Sequence, residues 1–355
     1  MAYTTIDNPG GEYFNTVLYT GNNGAQTVTG VGFQPDWVWI KDRDGTERHC
    51  LTDSVRGVLK ELRSNETAAE SDRSAGDSGV AGVSAFNSDG FVLVHDDGYN
   101  DNNSSQVSWN WKAGTSFTND ASSTGVGSID STGSFNNDAG FSIVSYTGTA
   151  QNGTIKHGMN IAPKMIIFKN RNTTNNWNVF HASRGNGKFI RLNESDAEGN
   201  TGRFNNTSPT SSVFSVGVNG ANAVNGDGNS IIAYCFADVK GYSKFGSYAS
   251  NSNADGPFVY LGFRPAFVMV KCTTAAESWG IVDNKNSPIN LASVVVVNAN
   301  TNSAGGGAEI DLLSNGFKLT AVSGQFNKSG SHTYIYMAFA ESPFVNSSGI
   351  PNNAR

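Results

Sequence analysis

Short runs in which every position is apolar alternate along this chain with segments rich in Gly, Asn, Ser and Thr. DWVWI, KMIIF and AFVMV each follow closely on a proline, and a continuous apolar run of that length predicts a strand covered on both faces. SVFSVGV and GFKLTAV alternate apolar with polar positions, as a half-exposed strand does. Asp89-Gly90, Asn225-Gly226 and Asn315-Gly316 lie between or before such strands and fit tight hairpin turns. One helix is predicted, over residues 53–65, where Asp53 can cap and apolar residues recur at helical spacing.

These runs come back at fixed intervals. Tyr19, Tyr146 and Tyr248 are followed 16, 17 and 17 residues later by Pro35, Pro163 and Pro265. Six residues past each proline stands Lys41, Lys169 or Lys271, and eighteen past it Asp53, His181 or Asp283. Trp177 and Trp279 share the position fourteen past the proline, where the first copy has His49. Phe91, Phe214 and Phe317 mark a looser second half, and each copy closes on an aromatic strand: VSWNWKA, IIAYCFAD or YIYMAFAE. The predicted fold is therefore all-β, with three tandem homologous β-sandwich-like units of about 100 residues and at most short helices. The units are placed at residues 12–114, 140–241 and 242–344. Residues 115–139, mostly Ser, Thr, Gly and Asn, are expected to be a linker or long surface loop, with extended arms at 1–11 and 345–355.

Composition agrees with this pattern. The 355 residues include 41 Gly and 42 Asn but only 11 Leu, and 15% are charged, so the residues that build helix surfaces are scarce. The 21 Phe, 11 Tyr and 6 Trp supply the burial that leucine does elsewhere. A net charge of −6 argues against a protein that tracks nucleic-acid phosphates. No apolar run approaches the roughly 20 residues of a membrane-spanning helix, and the start lacks the pattern of a secretory leader. Cys50, Cys235 and Cys272 are far apart and read as buried free thiols.

Candidate chemistry is sparse. There is no G-x-S-x-G elbow, phosphate loop, dinucleotide fingerprint or zinc spacing, so no catalytic residue, cofactor or metal is assigned. HDDGYNDNN (95–103), NGDGN (225–229) and DRDGTE (42–47) resemble calcium loops in composition but lack the EF-hand spacing. Asp53 and Asp283, the only repeated carboxylates, are expected to accept backbone or Arg56 hydrogen bonds. Lys41, Lys169 and Lys271 are expected to end the buried strand and snorkel to solvent. Trp37, Trp39, Trp109 and Trp111 are expected in the core. A weak ligand-binding set remains: Trp177, His181, Arg184, Trp279 and Asp283, with Trp177 leading because NNWNVFH sets it beside Asn and His.

The repeat-bearing residues also resemble a known family. MAYTTIDNP, YTGN with GFQPDWVWIK, GYSKFGSY, ADGPFVYLGFRPAFVMVK, YIYMAFAESPFVN and the terminal NNAR are similar to a functionally uncharacterised structural-protein family of tailed bacteriophages, found in marine and cyanobacterial phages. That resemblance covers nearly the whole chain, and it implies a virion component made in the host cytoplasm and no catalytic residues. The expected function is a non-enzymatic tail-associated fibre or receptor-binding protein. Its expected partners are other virion proteins, further copies of itself (most simply a trimer) and host cell-surface polysaccharide, with no nucleic acid and no membrane insertion. The alternatives are a capsid decoration or joining protein acting through its arms, and a polysaccharide depolymerase, which would need two carboxylates within about 10 Å.

Overall fold

The computed structural model describes residues 4–74, 80–95, 97–218, 221–290 and 294–353. Among them the named strands all pair antiparallel, and the helices are single turns such as Pro9–Glu12 and Ala121–Thr124. No helix of the described residues is long and apolar enough to cross a membrane.

One strand order recurs in three main sheets. In the first, Phe14–Thr20, Ser105–Trp111, Trp37–Asp42 and Cys50–Asp53 lie side by side in that order. The second repeats it with Phe141–Thr147, Ser230–Phe236, Met165–Asn170 and Asn178–His181, and the third with Ser243–Ala249, Thr333–Pro343, Phe263–Cys272 and Gly280–Asp283. Each main sheet carries a small sheet on one face. Gln26–Thr29, Gly90–Val94 and Gly82–Asn87 form the first; Gly153–Lys156 and Val213–Val216 the second; Phe258–Tyr260, Gly316–Leu319 and Ile310–Leu313 the third. Strand pairing sets Trp37 opposite Trp111, Met165 opposite Phe236 and Phe267 opposite Phe339, so the three sheets share one register.

The period-2 alternation of a strand sorts the continuous apolar runs into two destinations. Val38 and Ile40 enter the small core of the first sandwich, Ile166 and Phe168 that of the second, and Val268 and Val270 that of the third. Trp37, Trp39, Met165, Ile167, Phe267 and Met269 point the other way, into a central core that all three main sheets share. At its middle the equivalent residues Trp111, Phe236 and Phe339 meet pairwise, with ring centroids 6.5, 5.7 and 6.0 Å apart. The sandwiches are thus arranged about a pseudo-threefold axis rather than strung in a row. All three cysteines are free and buried.

Four local expectations are corrected. The predicted helix over 53–65 is a single turn: Asp53 Oδ1 does accept from the N–H groups of Val55 and Arg56, but Gly57 (φ 96) and Leu59 (φ 61) then leave helical space, and Lys60–Glu61 is a strand. Residues 115–139 are not a linker. Thr115–Asn119 and Ser131–Asn136 extend the second main sheet to eight strands, because Thr118, Thr132 and Ser145 fall in cross-strand register and bring backbone groups that can pair. The described parts of the arms fold back on the body. Ile6 is buried, Ser347 donates its N–H to Asp7, and Arg264 reaches the Asn353 carbonyl. Of the three Gly-containing turn pairs, Gly90 and Gly316 each open the second strand of a hairpin, where a Cβ would come within 2.0 and 2.1 Å of the Val28 and Val259 carbonyl oxygens. Asn225-Gly226 instead follows the helical turn Ala221–Val224.

Candidate functional site

The repeated residues meet at the three seams between sandwiches, and they do so cyclically. The Trp177 indole N–H donates to the Arg63 carbonyl (2.8 Å), that of Trp279 to the Arg191 carbonyl (2.8 Å), and His49 Nε2 sits 2.9 Å from the Asn298 carbonyl. Each of these residues also has its own N–H held by an equivalent asparagine, Asn193, Asn300 or Asn65. Three main-chain bonds repeat in the same sense: Glu70 N to Arg171 O, Glu198 N to Thr273 O, and Gly305 N to Arg43 O. Eighteen residues past each proline, Asp53 accepts from the Tyr234 hydroxyl (2.7 Å), His181 Nε2 lies 3.3 Å from the Tyr336 carbonyl, and Asp283 accepts from the Trp109 indole (3.1 Å).

This geometry answers for most of the sequence-selected set. Trp177, His181, Trp279 and Asp283 are at most 1% exposed, so four of the five weak ligand candidates are seam residues with no face toward solvent. Arg184 is partly exposed and is held by Glu198 in a two-pronged pair at 2.6 and 2.7 Å. Asp53 is saturated by Arg56, Tyr234 and two backbone N–H groups, and Asp283 by Trp109, Asn286 and two backbone N–H groups. Neither is open to a substrate proton. Burial raises the Asp283 carboxyl above its ordinary value.

The lysines depart furthest from expectation. Lys41, Lys169 and Lys271 do not snorkel; all are fully buried. Lys169 Nζ donates across a seam to Thr67 O (2.9 Å) and to its own loop at Asn175 O (2.7 Å); Lys271 Nζ does the same with Ser195 O (2.9 Å) and Glu277 O (2.7 Å). Burial lowers both amines to about 8. Lys41 stays within its own loop, on the carbonyls of Asp42 and Gly45. Burial also lowers His49 to about 3, helped by the Lys41 charge, and His157 and His181 each to about 4. The Nδ1 of His49 accepts from the Trp39 indole and that of His181 from the Ser183 N–H, which assigns their remaining proton to Nε2.

The solvent-facing loops are held by a second repeated device, which sequence reasoning missed. Asn100, Asn225 and Asn327 are fully buried and grip the loop that follows the first strand of each main sheet. Asn100 Oδ1 accepts from Asn22 N, Asn225 Oδ1 from Thr149 N, and Asn327 Oδ1 from Asn251 N; each amide nitrogen donates to a carbonyl of the same loop. The residue before each asparagine accepts from the repeat tyrosine: the hydroxyls of Tyr19, Tyr146 and Tyr248 donate to the carbonyls of Tyr99 (2.6 Å), Val224 (2.5 Å) and Phe326 (2.7 Å). The available signal was an apolar-Asn pair shortly before each closing strand: YN, VN and FN. Two of the calcium-like segments, 95–103 and 225–229, contain these pins. In the third, Asp42 Oδ1 accepts from the N–H groups of Asp44 and Gly45, which makes it a turn. Among the described residues no three His, Cys, Asp or Glu side chains are grouped to hold a metal ion.

A cleft of about 280 Å³ opens where residues 115–139 join the second sandwich, lined by Thr118, Asp120, Asp130, Thr132, Ser145 and Thr147 among others. Its two carboxylates serve local turns: Asp120 accepts from Ser122 and Ser123, which lowers its carboxyl, and Asp130 accepts from Ala121 N. Beside these two carboxylates the cleft offers the hydroxyls of Thr118, Ser131, Thr132, Ser145 and Thr147.

A protein family described as a domain of unknown function (DUF7483) matches residues 9–343. No curated protein and no solved structure matches the chain.

Proposed function

Taking as premise that the chain belongs to the DUF7483 family, we propose that it is a non-enzymatic surface protein of a bacteriophage particle, tail-associated, whose pinned loops recognise a host-surface glycan. The observation that carries this reading is the division of labour in the molecule. Its repeated ionisable side chains are buried within a closed ring, most of them at its seams, while three equivalent polar loop clusters are anchored to that ring by a buried asparagine and a tyrosine. Loops on a rigid scaffold suit recognition, because binding then orders little that is not already ordered. The Asn, Ser and Thr side chains there, and the cleft beside the second sandwich with its hydroxyls and two carboxylates, complement sugar hydroxyls. The phage assignment rests on the sequence resemblance.

The internal ring also bears on assembly. Seams that would join protomers in a trimer here join parts of one chain, so a homotrimer has to use surfaces outside the ring. Light scattering on the purified chain separates a monomer from a trimer. Recognition is tested by glycan-array and whole-cell binding, with and without divalent cations. Binding that is lost when residues 251–255 and 148–152 are exchanged for Gly-Ser is the expected result; no binding under any of these conditions sinks the proposal.

A further inference from the structure

On the second sandwich Glu198 holds Arg184 and Asp196 holds Arg191, at 3.0 Å, whereas Arg203 meets no carboxylate among the described residues. Its guanidinium stacks instead on Phe189, 3.5 Å from the ring centroid. That ring is 7% exposed and rests on Gly199, its cross-strand partner, where a Cβ would come within 2.2 Å of it. Arg203 Nε donates to the Thr201 hydroxyl (3.3 Å), and Nη1 to the side-chain oxygen of Asn178, which is fully buried. The guanidinium is therefore fixed in place, with Nη2 bonded to none of the described residues.

A second cation flanks the same ring. Arg191 stands two residues along the strand Lys188–Arg191 from Phe189, hence on the same face, and its guanidinium is 5.7 Å from the ring centroid. Its cross-strand partner is Asn178, the residue that holds Arg203. The seam fixes its backbone, since the Arg191 carbonyl accepts from Trp279, and its Nε is buried without a partner. Two guanidinium groups thus share one ring, and one of them has no counter-ion. Burial and the Arg191 charge lower Arg203 to about 10. Like charges held together at a partly buried place repel, and an oxyanion bound to their free N–H groups relieves the repulsion. The arrangement belongs to the second sandwich: four residues before the seam asparagines Asn65 and Asn300 stand Glu61 and Val296, where Phe189 precedes Asn193.

The backbone sets this pair beside a pinned loop. The Arg203 carbonyl accepts from the Gly217 N–H (2.8 Å), and the next residue, Val218, donates its N–H to Asn152 of the loop at 148–152 (3.1 Å). We propose that Arg203, with Arg191, binds the acidic group of a sugar, a carboxylate or a sulfate ester, so that the glycan taken at the second sandwich is an acidic one. This rests on the glycan reading and narrows it. A singly charged group fits, because Asp196 already offsets Arg191 and only Arg203 is left to balance.

The test is calorimetric titration of the full chain with a galacturonic-acid oligosaccharide, a sulfated oligosaccharide and an uncharged dextran oligosaccharide. Saturable binding of an acidic oligosaccharide is expected, and the one that binds tells carboxylate from sulfate ester. Arg203→Gln weakens that binding about tenfold, the worth of one charge-assisted hydrogen bond. Arg203→Lys keeps the charge but not the planar fork, and weakens it too. Arg43→Gln makes the same change in net charge and leaves binding as it was; Arg43 also meets no carboxylate among the described residues, and its buried Nε has no partner. Equal affinity of Arg203→Gln and the parent, or an equal loss with Arg43→Gln, overturns the site. If the parent binds uncharged glycans or host cells but neither acidic oligosaccharide, this site falls and the glycan reading stands. If it binds no glycan of any kind, both fall.

Discussion

A tryptophan that seals a seam contributes twice, through the area it buries and through its indole N–H. Trp279→Phe keeps most of the area and strands the Arg191 carbonyl, so a loss of about 1–3 kcal/mol in urea unfolding is expected. Trp279→Ala adds a cavity, and a loss of about 3–5 kcal/mol is expected. If the Phe variant is as stable as the parent, the cross-seam bond contributes nothing. The buried imidazoles predict acid sensitivity. His49, His157 and His181 are held at about 3, 4 and 4, below the ordinary 6.5, so between these values the unfolded chain takes up protons that the folded one does not. The stability they support is fully present above pH 6.5 and is lost as pH falls toward 4, at up to about 1.4 kcal/mol per pH unit for each ring. His181→Gln should therefore reduce the stability difference between pH 7 and pH 5 by about 1–2 kcal/mol; an unchanged difference would show that the folded protein can charge this ring.

At the scale of elements, the asparagine pin predicts that a loop is held by a residue some 75 positions away. Asn327 Nδ2 lies within 3.2 Å of Asn251 Oδ1, Asn253 O and Ala321 O, so Asn327→Ala leaves several buried polar groups without partners. A cost of about 2–4 kcal/mol is expected, together with faster amide exchange at Asn251. Exchange that stays slow in the variant would assign the loop's order to something else. The glycine of the Tyr-Thr-Gly pattern belongs to the same device. A Cβ on Gly21 or Gly148 would come within 2.0 or 2.3 Å of the carbonyl oxygen of Asp101 or Gly226, the residue after the pinning asparagine, and the third copy, with Ser250 there, bonds its hydroxyl to Gly330 O instead. The strands, their hairpins and the repeat were legible from apolar spacing and turn residues. The single turn at 53–65 was not, because a capping Asp and helical spacing are local signals, while Leu51 and Leu62 are joined by tertiary bridging. Nor was the strand character of 115–139: Ser and Thr show no apolar periodicity, and pairing with Phe141–Thr147 is what orders them.

For the molecule as a whole, the shared core predicts that no sandwich is stable alone. Residues 140–241 in isolation would expose Ile143, Met165, Ile167, Tyr234 and Phe236, all of which the ring buries. That segment is expected to be unfolded or aggregated, and the full chain to unfold in one transition seen alike by fluorescence and circular dichroism. A folded, monomeric fragment, or three separable transitions, would show that the sandwiches are autonomous. What could be had without coordinates is substantial: the β class, the threefold repetition, its register, and the aromatic nature of the core all follow from residue type and spacing, which are properties of one dimension. Even the double burial of DWVWI, KMIIF and AFVMV was visible there. What covers their second face was not, and on that turned the fate of the candidate site. Trp177, Trp279, His181, Asp283 and the three lysines carry the same one-dimensional signature whether they meet a ligand or a neighbouring sandwich. Closure of the ring alone brings Arg63, Arg191 and Tyr336 within hydrogen-bond reach of them, from 88 to 155 positions away, and so makes them structural.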